Sequence, residues 1–185
     1  MNIKKIITII LIMVSVLTGC GKSDSDKVKD NSQVTQENHG RVEEETVETL
    51  VAKFNTEVVD NSSLNPASTD YLTESNNEYW YGLIEGIYLV AVPKKYTGDK
   101  AADIVNYTLL YVNKTGEHEL DVASYVKHLI KANNNQITDS EIDTLLKEAK
   151  TKPNSGEAAN NGKGISVGYT ENEEKYQYQV LRLYK

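Results

Sequence analysis

Few residues in this chain could carry out catalysis or hold a metal ion, and their spacing matches no motif for either role. The three histidines are His39, His118 and His128, and no His-x-x-x-His or Cys/His cluster accompanies them. His128 lies beside the apolar stripe of a predicted helix, where a boundary or structural histidine is the ordinary interpretation. The sequence therefore predicts no metal site, no cofactor and no catalytic residue.

Two glycine-containing segments are candidates for holding a nucleophile or a phosphate. Ser166 lies in the run Gly164-Ile-Ser-Val-Gly168, whose apolar residues predict a strand rather than the strand-to-helix elbow of a hydrolase. Gly162-Lys163-Gly164 is too short for a phosphate loop, and no helix is predicted to follow it. Neither segment therefore matches the sequence pattern of an active site.

Acidic clusters are the remaining candidates for acid–base chemistry. Each lies at a predicted helix start or turn, where helix dipoles, capping and solubility account for it. The clusters are Glu43–Glu45, Asp139/Glu141/Asp143 and Glu171/Glu173/Glu174. The chain is therefore predicted not to be an enzyme.

Aromatic residues form the one candidate binding surface. The chain has twelve Tyr and one Trp, and Tyr79-Trp80-Tyr81 lies in a predicted strand. Strand alternation places Trp80 on the face opposite Tyr79 and Tyr81, so one side of the triplet should be core. The other side could be an exposed face that stacks on a sugar or docks a partner, or could be ordinary half-buried tyrosine.

The first twenty residues have the features of an export signal. Lys4 and Lys5 precede an apolar run from Ile6 to Leu17, and Leu17-Thr18-Gly19-Cys20 follows. The run is shorter than the roughly 20 residues that cross a bilayer, so it is predicted to be a signal segment rather than a membrane span. Cys20 is the only cysteine of the chain, so no intramolecular disulfide can form.

Leu17-Thr18-Gly19-Cys20 resembles the lipobox of bacterial lipoproteins. The resemblance implies that residues 1–19 are removed and that diacylglycerol is attached to the Cys20 thiol. Burial of two acyl chains, at about 0.8 kcal/mol per CH₂, would hold the protein stably on the extracytoplasmic face of the cell membrane. A plain secretory signal with an incidental Cys20 is the alternative. The resemblance covers these twenty residues only.

Residues 20–42 are predicted to be a disordered polar tether, because they contain too little apolar surface to offset the entropy of ordering. Residues 43–185 are predicted to form a single globular domain. Without Lys4 and Lys5 the chain has 18 basic and 27 acidic residues, a net charge of −9, against −7 for the full sequence. This acidic balance argues against a nucleic-acid partner.

Hydrophobic periodicity predicts an α+β fold, with an antiparallel sheet of about five strands and about three helices packed on one face. The predicted helices are 44–59, 120–133 and one after the capping box Thr138–Glu141. The predicted strands are Tyr79–Ile84, Ile87–Val92, Asn106–Asn113, Ile165–Tyr169 and Lys175–Tyr184. One long bulged strand remains an alternative to the first hairpin, and the last strand could be central or at an edge.

Three classes of function are consistent with these features. The favoured hypothesis is a non-catalytic binding or adaptor module of the cell envelope, with an envelope protein or a glycan as its partner besides the membrane. The first alternative is an envelope enzyme whose active site is not recognisable from the sequence. The second is a structural accessory or inhibitor subunit of an envelope complex. The sequence does not determine the ligand or the oligomeric state.

Overall fold

The computed structural model describes residues 42–68, 73–75, 77–114, 119–160 and 162–184. Within these ranges there are three helices and seven strands. In chain order they are α1 (Val47–Asn61), β1 (Thr73–Ser75), β2 (Glu78–Ile84), β3 (Ile87–Pro93), β4 (Val105–Asn113), α2 (Glu119–Asn133), α3 (Asp139–Thr151), β5 (Ala159–Asn160), β6 (Ile165–Glu171) and β7 (Lys175–Arg182). The lipobox, Cys20 and the tether up to residue 41 lie outside the described residues.

The strands form one antiparallel sheet in the order β1-β2-β3-β4-β7-β6-β5. The predicted α+β class and the antiparallel sheet are confirmed. The two additional strands, β1 and β5, are three and two residues long and lie at the two edges of the sheet. Strands this short have too few residues to show a hydrophobic alternation.

The strand β7, whose position the sequence leaves open, is central and lies between β4 and β6. The hairpin of β2 and β3 is also as predicted, with the two residues Glu85 and Gly86 between the strands. Gly86 has a φ of +79°, a conformation that favours glycine. The alternative of one long bulged strand is therefore excluded.

Helix α1 begins three residues later than predicted, at Val47, with Thr46 as its N-cap. The preceding residues are extended, because Val105 N donates to Glu45 O (2.9 Å) and Val42 N donates to Leu183 O (2.8 Å). The expectation that Glu43–Glu45 lie at a helix start is therefore wrong. Pairing with the sheet holds this segment, and a helical pattern does not reveal such long-range pairing.

Helix α3 follows the predicted capping box. The Thr138 side chain accepts from Glu141 N, and the Glu141 carboxylate accepts from Thr138 N at 2.9 Å. The apolar stripe of α1 is also buried as predicted, from Val47 to Val58. Local signals of this kind determine helix positions well because every participating group is within four residues.

The three helices cover one face of the sheet, which we call the core face. Its strand residues belong to the same cluster of buried side chains as the helix residues; they include Tyr79, Tyr81, Leu89, Leu110, Tyr178 and Val180. The opposite face, which we call the open face, carries the alternate residues of the same strands. No helix of the described chain packs on the open face.

Candidate functional site

The aromatic triplet Tyr79-Trp80-Tyr81 is divided between the two faces of the sheet. Tyr79 and Tyr81 are buried in the core, with 0% and 1% of their surface exposed, and Tyr79 Oη donates to Asp103 Oδ2 at 2.7 Å. Trp80 lies on the open face and is partly exposed. Of the three residues predicted as a binding surface, only Trp80 is therefore available to a partner, and Tyr79 and Tyr81 are structural.

Asp103 is the buried acceptor that fixes Tyr79. It accepts hydrogen bonds from Thr97 N (2.9 Å), Thr97 Oγ1 (2.5 Å) and Tyr79 Oη. Burial raises the pKa of this carboxyl, but the hydrogen bonds to its charged form prevail and hold the pKa below its usual value. Every strong contact of Asp103 supports the fold, so its role here is structural.

Trp80 is the centre of an aromatic cluster on the open face, formed with Tyr88 and Tyr111. The Trp80 ring lies 6.0 Å from Tyr88 and 5.3 Å from Tyr111, and the two tyrosine rings are 6.2 Å apart, between centroids. Strands β2, β3 and β4 are adjacent, and Tyr88 pairs directly with Tyr111. The strand register therefore brings together three rings that are far apart in the sequence.

The rings of the aromatic cluster are tilted against one another rather than coplanar. Their interplanar angles are 59°, 61° and 59°. Such edge-to-face contacts are the favoured arrangement of interacting aromatic rings. The resulting surface is irregular, and it does not offer the flat platform on which a sugar ring stacks.

Apolar residues extend the aromatic cluster and charged residues flank it. Val90, fully buried, and Leu109, partly buried, lie beside Trp80 on the same face. Glu78 accepts a hydrogen bond from Trp80 Nε1 at 3.0 Å, and Lys175 Nζ lies 5.0 Å from the Tyr111 ring centroid. The open face thus has an apolar, aromatic centre with a carboxylate at one end and an ammonium group at the other.

Tyr107 shows that part of this face is already shielded from water. Burial raises the pKa of its hydroxyl above the usual value, and the nearby Glu78 carboxylate adds to the effect. Sequence reasoning missed Tyr88, Tyr107 and Tyr111. Alternation within each strand could have indicated their face, but their proximity to Trp80 depends on the pairing of three strands.

His128 approaches a serine, but the pair lacks the features of a catalytic dyad. Ser124 Oγ lies 3.3 Å from His128 Nε2, one turn away on α2. His128 Nδ1 is buried without a hydrogen-bond partner among the described residues, so no third group orients the imidazole. Burial lowers the pKa of His128; Glu57 and Asp139 oppose this effect, while Lys131 adds to it. The histidine is accounted for by packing.

The acidic clusters considered in the sequence are held by lysines. Asp139 pairs with Lys131 (2.7 Å), Glu141 with Lys163 (2.7 Å) and Glu171 with Lys114 (2.6 Å). The hydrogen bond from Lys163, with those from Thr138, lowers the pKa of Glu141 to about 2. These carboxylates are therefore ionised and engaged at neutral pH, as surface ion pairs and a helix cap rather than as an acid–base pair.

Neither Ser166 nor the described acidic residues form a recognisable reaction centre. Ser166 is 7% exposed within β6, in agreement with the predicted strand. Among the described residues, no three His, Cys, Asp or Glu side chains are grouped closely enough to hold a metal ion. No helix in the described ranges has the length and apolar character needed to cross a membrane.

A concave region lined largely by polar residues lies on the helix side of the sheet. Its floor contains Arg182, whose side chain is 2% exposed and whose Nη1 lies 3.0 Å from Glu45 Oε2. Sequence reasoning did not find this buried ion pair, since its partners are separated by most of the domain. An arginine in a β-strand core position was the only available signal.

Comparison with known proteins gives no assignment for this arrangement: no family model, curated protein or solved structure matches the chain.

Proposed function

We propose that this chain is a membrane-anchored extracytoplasmic lipoprotein whose folded domain is a non-catalytic binding or adaptor module of the cell envelope. The lipobox at Leu17–Cys20 supports the anchor and the location. The partly exposed aromatic cluster of Trp80, Tyr88 and Tyr111 on the open face is the observation that supports the binding role. The open face is the docking surface.

The chemistry of the open face favours a protein as the partner. Protein interfaces are enriched in Trp and Tyr at their centres and are bordered by polar groups. The aromatic cluster with Glu78 and Lys175 at its two ends follows this arrangement. A glycan that stacks on a flat ring is less well suited to the tilted rings found here.

The docking role is tested by crosslinking in intact cells, with the lipidated protein as bait. Trp80→Ser combined with Tyr111→Ser removes the centre of the open face. Tyr176→Ser is the control. Tyr176 is next to Gln177, the residue of β7 that pairs with Tyr111, but its side chain packs on the core face. Circular dichroism and thermal unfolding establish that each variant is folded before capture is compared.

We expect a specific envelope protein to be crosslinked by the unchanged chain and by Tyr176→Ser, and to be lost with the double variant. Equal capture by all three proteins would show that the open face is not the docking surface. A captured glycan instead of a protein would change the class of partner.

The anchor is tested separately with Cys20→Ala. Removal of the thiol eliminates the only acceptor for the lipid in the lipobox. The variant should be released into the medium or remain as an uncleaved precursor, as judged by fractionation and intact mass. Normal processing together with unchanged membrane retention would refute lipidation at Cys20.

A further inference from the structure

The polar cleft on the helix side is distinct from the open face. It has a volume of about 950 Å³ and opens between α1, the loop from α2 to α3, and the segment that precedes β6. Helices α1 and α2 lie against the core face, so the sheet separates the polar cleft from Trp80. A cavity of this volume is within the range that holds small ligands and short oligomers.

One buried guanidinium connects the walls of the polar cleft. Arg182 Nη1 donates to Asn133 Oδ1 at the end of α2 (2.8 Å) and to Glu45 Oε2 before α1 (3.0 Å). Arg182 Nη2 donates to the carbonyl oxygen of Glu43 at 3.0 Å. Since these contacts reach two separate elements from one strand, they fix the floor of the cleft in one arrangement.

The rim formed by the α2–α3 loop is also held in place. Asn134 Nδ2 donates to Lys163 O at 2.8 Å, and Asn134 Oδ1 accepts from Gln136 N at 3.0 Å. The neighbouring Asn135 and Gln136 side chains are exposed and line the cleft. Their amide groups can donate and accept hydrogen bonds at positions fixed by the loop.

The described residues that line the polar cleft carry equal numbers of positive and negative charges. Its cations are Lys53, Lys131, Lys163 and Arg182. Its carboxylates are Glu43, Glu44, Glu45 and Glu57. Among these described residues, four charges of each sign leave no excess of either sign, and Lys131 and Lys163 are further paired with Asp139 and Glu141 beside the cleft.

Large apolar side chains, which line most small-molecule pockets, are scarce among the described residues of the cleft. No aromatic side chain and no Leu, Ile, Met or Phe is among the described residues of its surface; its largest apolar residue is Val42. Alongside the charges lie the amides of Asn133 to Gln136 and the hydroxyls of Thr49 and Thr56. The ligand that fits is uncharged overall, rich in donors and acceptors, and without a large apolar group.

We propose that the polar cleft is a binding site for a neutral, polyhydroxylated ligand, a glycan chain. Hydroxyl groups both donate and accept, so they can match the interleaved carboxylates, ammonium groups and amides without bringing an unpaired charge into the cleft. This site is independent of the docking role of the open face. One domain would then hold a protein on one side of its sheet and a glycan on the other.

The test is an NMR titration of the folded domain with the uncharged tetramer of N-acetylglucosamine. A matched titration with tetra-alanine, which is a zwitterion, asks whether the site instead selects separated charges. We expect the glycan to shift the amide signals of Asn135, Gln136 and Lys163. The indole signal of Trp80, the only tryptophan, should stay unchanged because it lies on the open face.

The double variant Asn135→Ala/Gln136→Ala removes the two exposed amides of the rim. Loss of one or two hydrogen bonds should weaken glycan binding about tenfold, while the fold is retained. Gln177→Ala/Gln179→Ala is the matched control, because it removes two amides from the open face of β7. The control should bind the glycan as the unchanged domain does.

Three results would overturn the proposal: no shift with the glycan at millimolar concentration, shifts in the cleft with tetra-alanine alone, or equal weakening by both double variants. A glycan-induced shift confined to Trp80 would also overturn it and would assign the glycan to the open face. Protein capture by the Trp80/Tyr111 double variant is measured in a separate experiment, so the failure of one site would leave the other site standing.

Discussion

The two faces of the sheet are built from the same strands and both carry aromatic residues, yet these residues are buried to different extents. On the core face, Tyr79 and Tyr81 are covered by other elements and are almost completely buried. On the open face, Trp80, Tyr88 and Tyr111 cover one another and stay partly exposed. The comparison shows that residue type does not decide which face becomes core. The position of the helices does.

The largest difference between the faces is expected for charged residues of β7. Arg182 is buried on the core face, whereas Lys175 is exposed on the open face. Arg182→Leu leaves the Glu45 carboxylate buried with only the Lys53 partner, and should lower the free energy of unfolding by about 3 kcal/mol or more. Lys175→Leu should change it by less than about 0.5 kcal/mol. Urea unfolding of both variants measures the contrast.

Equal stability of the Arg182→Leu and Lys175→Leu variants would show that the buried ion pair contributes nothing beyond the packing of an aliphatic side chain. The contrast between the two faces of β7 would then be lost.

Two adjacent leucines of β4 allow the same comparison for apolar residues. Leu110 is fully buried on the core face, and Leu109 is partly buried on the open face. Leu110→Ala should cost about 2–5 kcal/mol, since it leaves a cavity among fixed neighbours, and Leu109→Ala about 1 kcal/mol or less. Chemical denaturation provides both values. Similar losses would mean that the open face is packed like a core and is not free to dock a partner.

The aromatic cluster should contribute a measurable, smaller amount to stability. A double-mutant cycle with Trp80→Ala and Tyr111→Ala isolates the contact between rings whose centroids are 5.3 Å apart. We expect a coupling energy of about 0.5–1.5 kcal/mol. A coupling energy of zero would indicate that the two rings do not contact each other in the unbound protein in solution.

The smallest effect is a dependence of stability on pH, and it belongs to the helix layer on the core face. Burial lowers the pKa of His128 in the folded state, while Glu57 and Asp139 offset part of that shift. The folded pKa lies below the unfolded value of 6.5. The contribution of neutral His128 to the free energy of unfolding is therefore fully present above pH 6.5, and it is lost as the pH falls towards the folded pKa.

His128→Gln should remove this dependence between about pH 7.5 and 5, as measured by thermal unfolding at each pH. The window lies above the range in which carboxylates with lowered pKa values, such as Glu141, take up protons. An unchanged pH profile in the variant would assign the dependence to other groups.

Helix positions and hairpins were predictable because their signals are local. The capping box at Thr138, the apolar stripe of α1 and the turn at Gly86 each depend on residues a few positions apart. The prediction of a helix start at Glu43–Glu45 was wrong because the structure of that segment depends on long-range contacts. The backbone of that segment pairs with residues near 105 and 183, and no local pattern encodes such a partner.

The candidate sites divide in the same way. Alternation within β2 correctly placed Trp80 on the face opposite Tyr79 and Tyr81. It did not show which of the two faces the helices would cover. The aromatic cluster requires the register of three strands, and the polar cleft requires α1, the α2–α3 loop and β7 to meet. Neither arrangement has a counterpart in sequence spacing.

The sequence by itself determined the α+β class, most helix and strand positions, and the match to a lipobox at Cys20, because each depends on composition or on neighbours along the chain. The tertiary structure alone decided which aromatic residues are buried, where Arg182 finds its carboxylate and where a cleft opens. The physical reason is that burial and ion pairing are properties of groups brought together by long-range packing, and spacing along the chain does not record them.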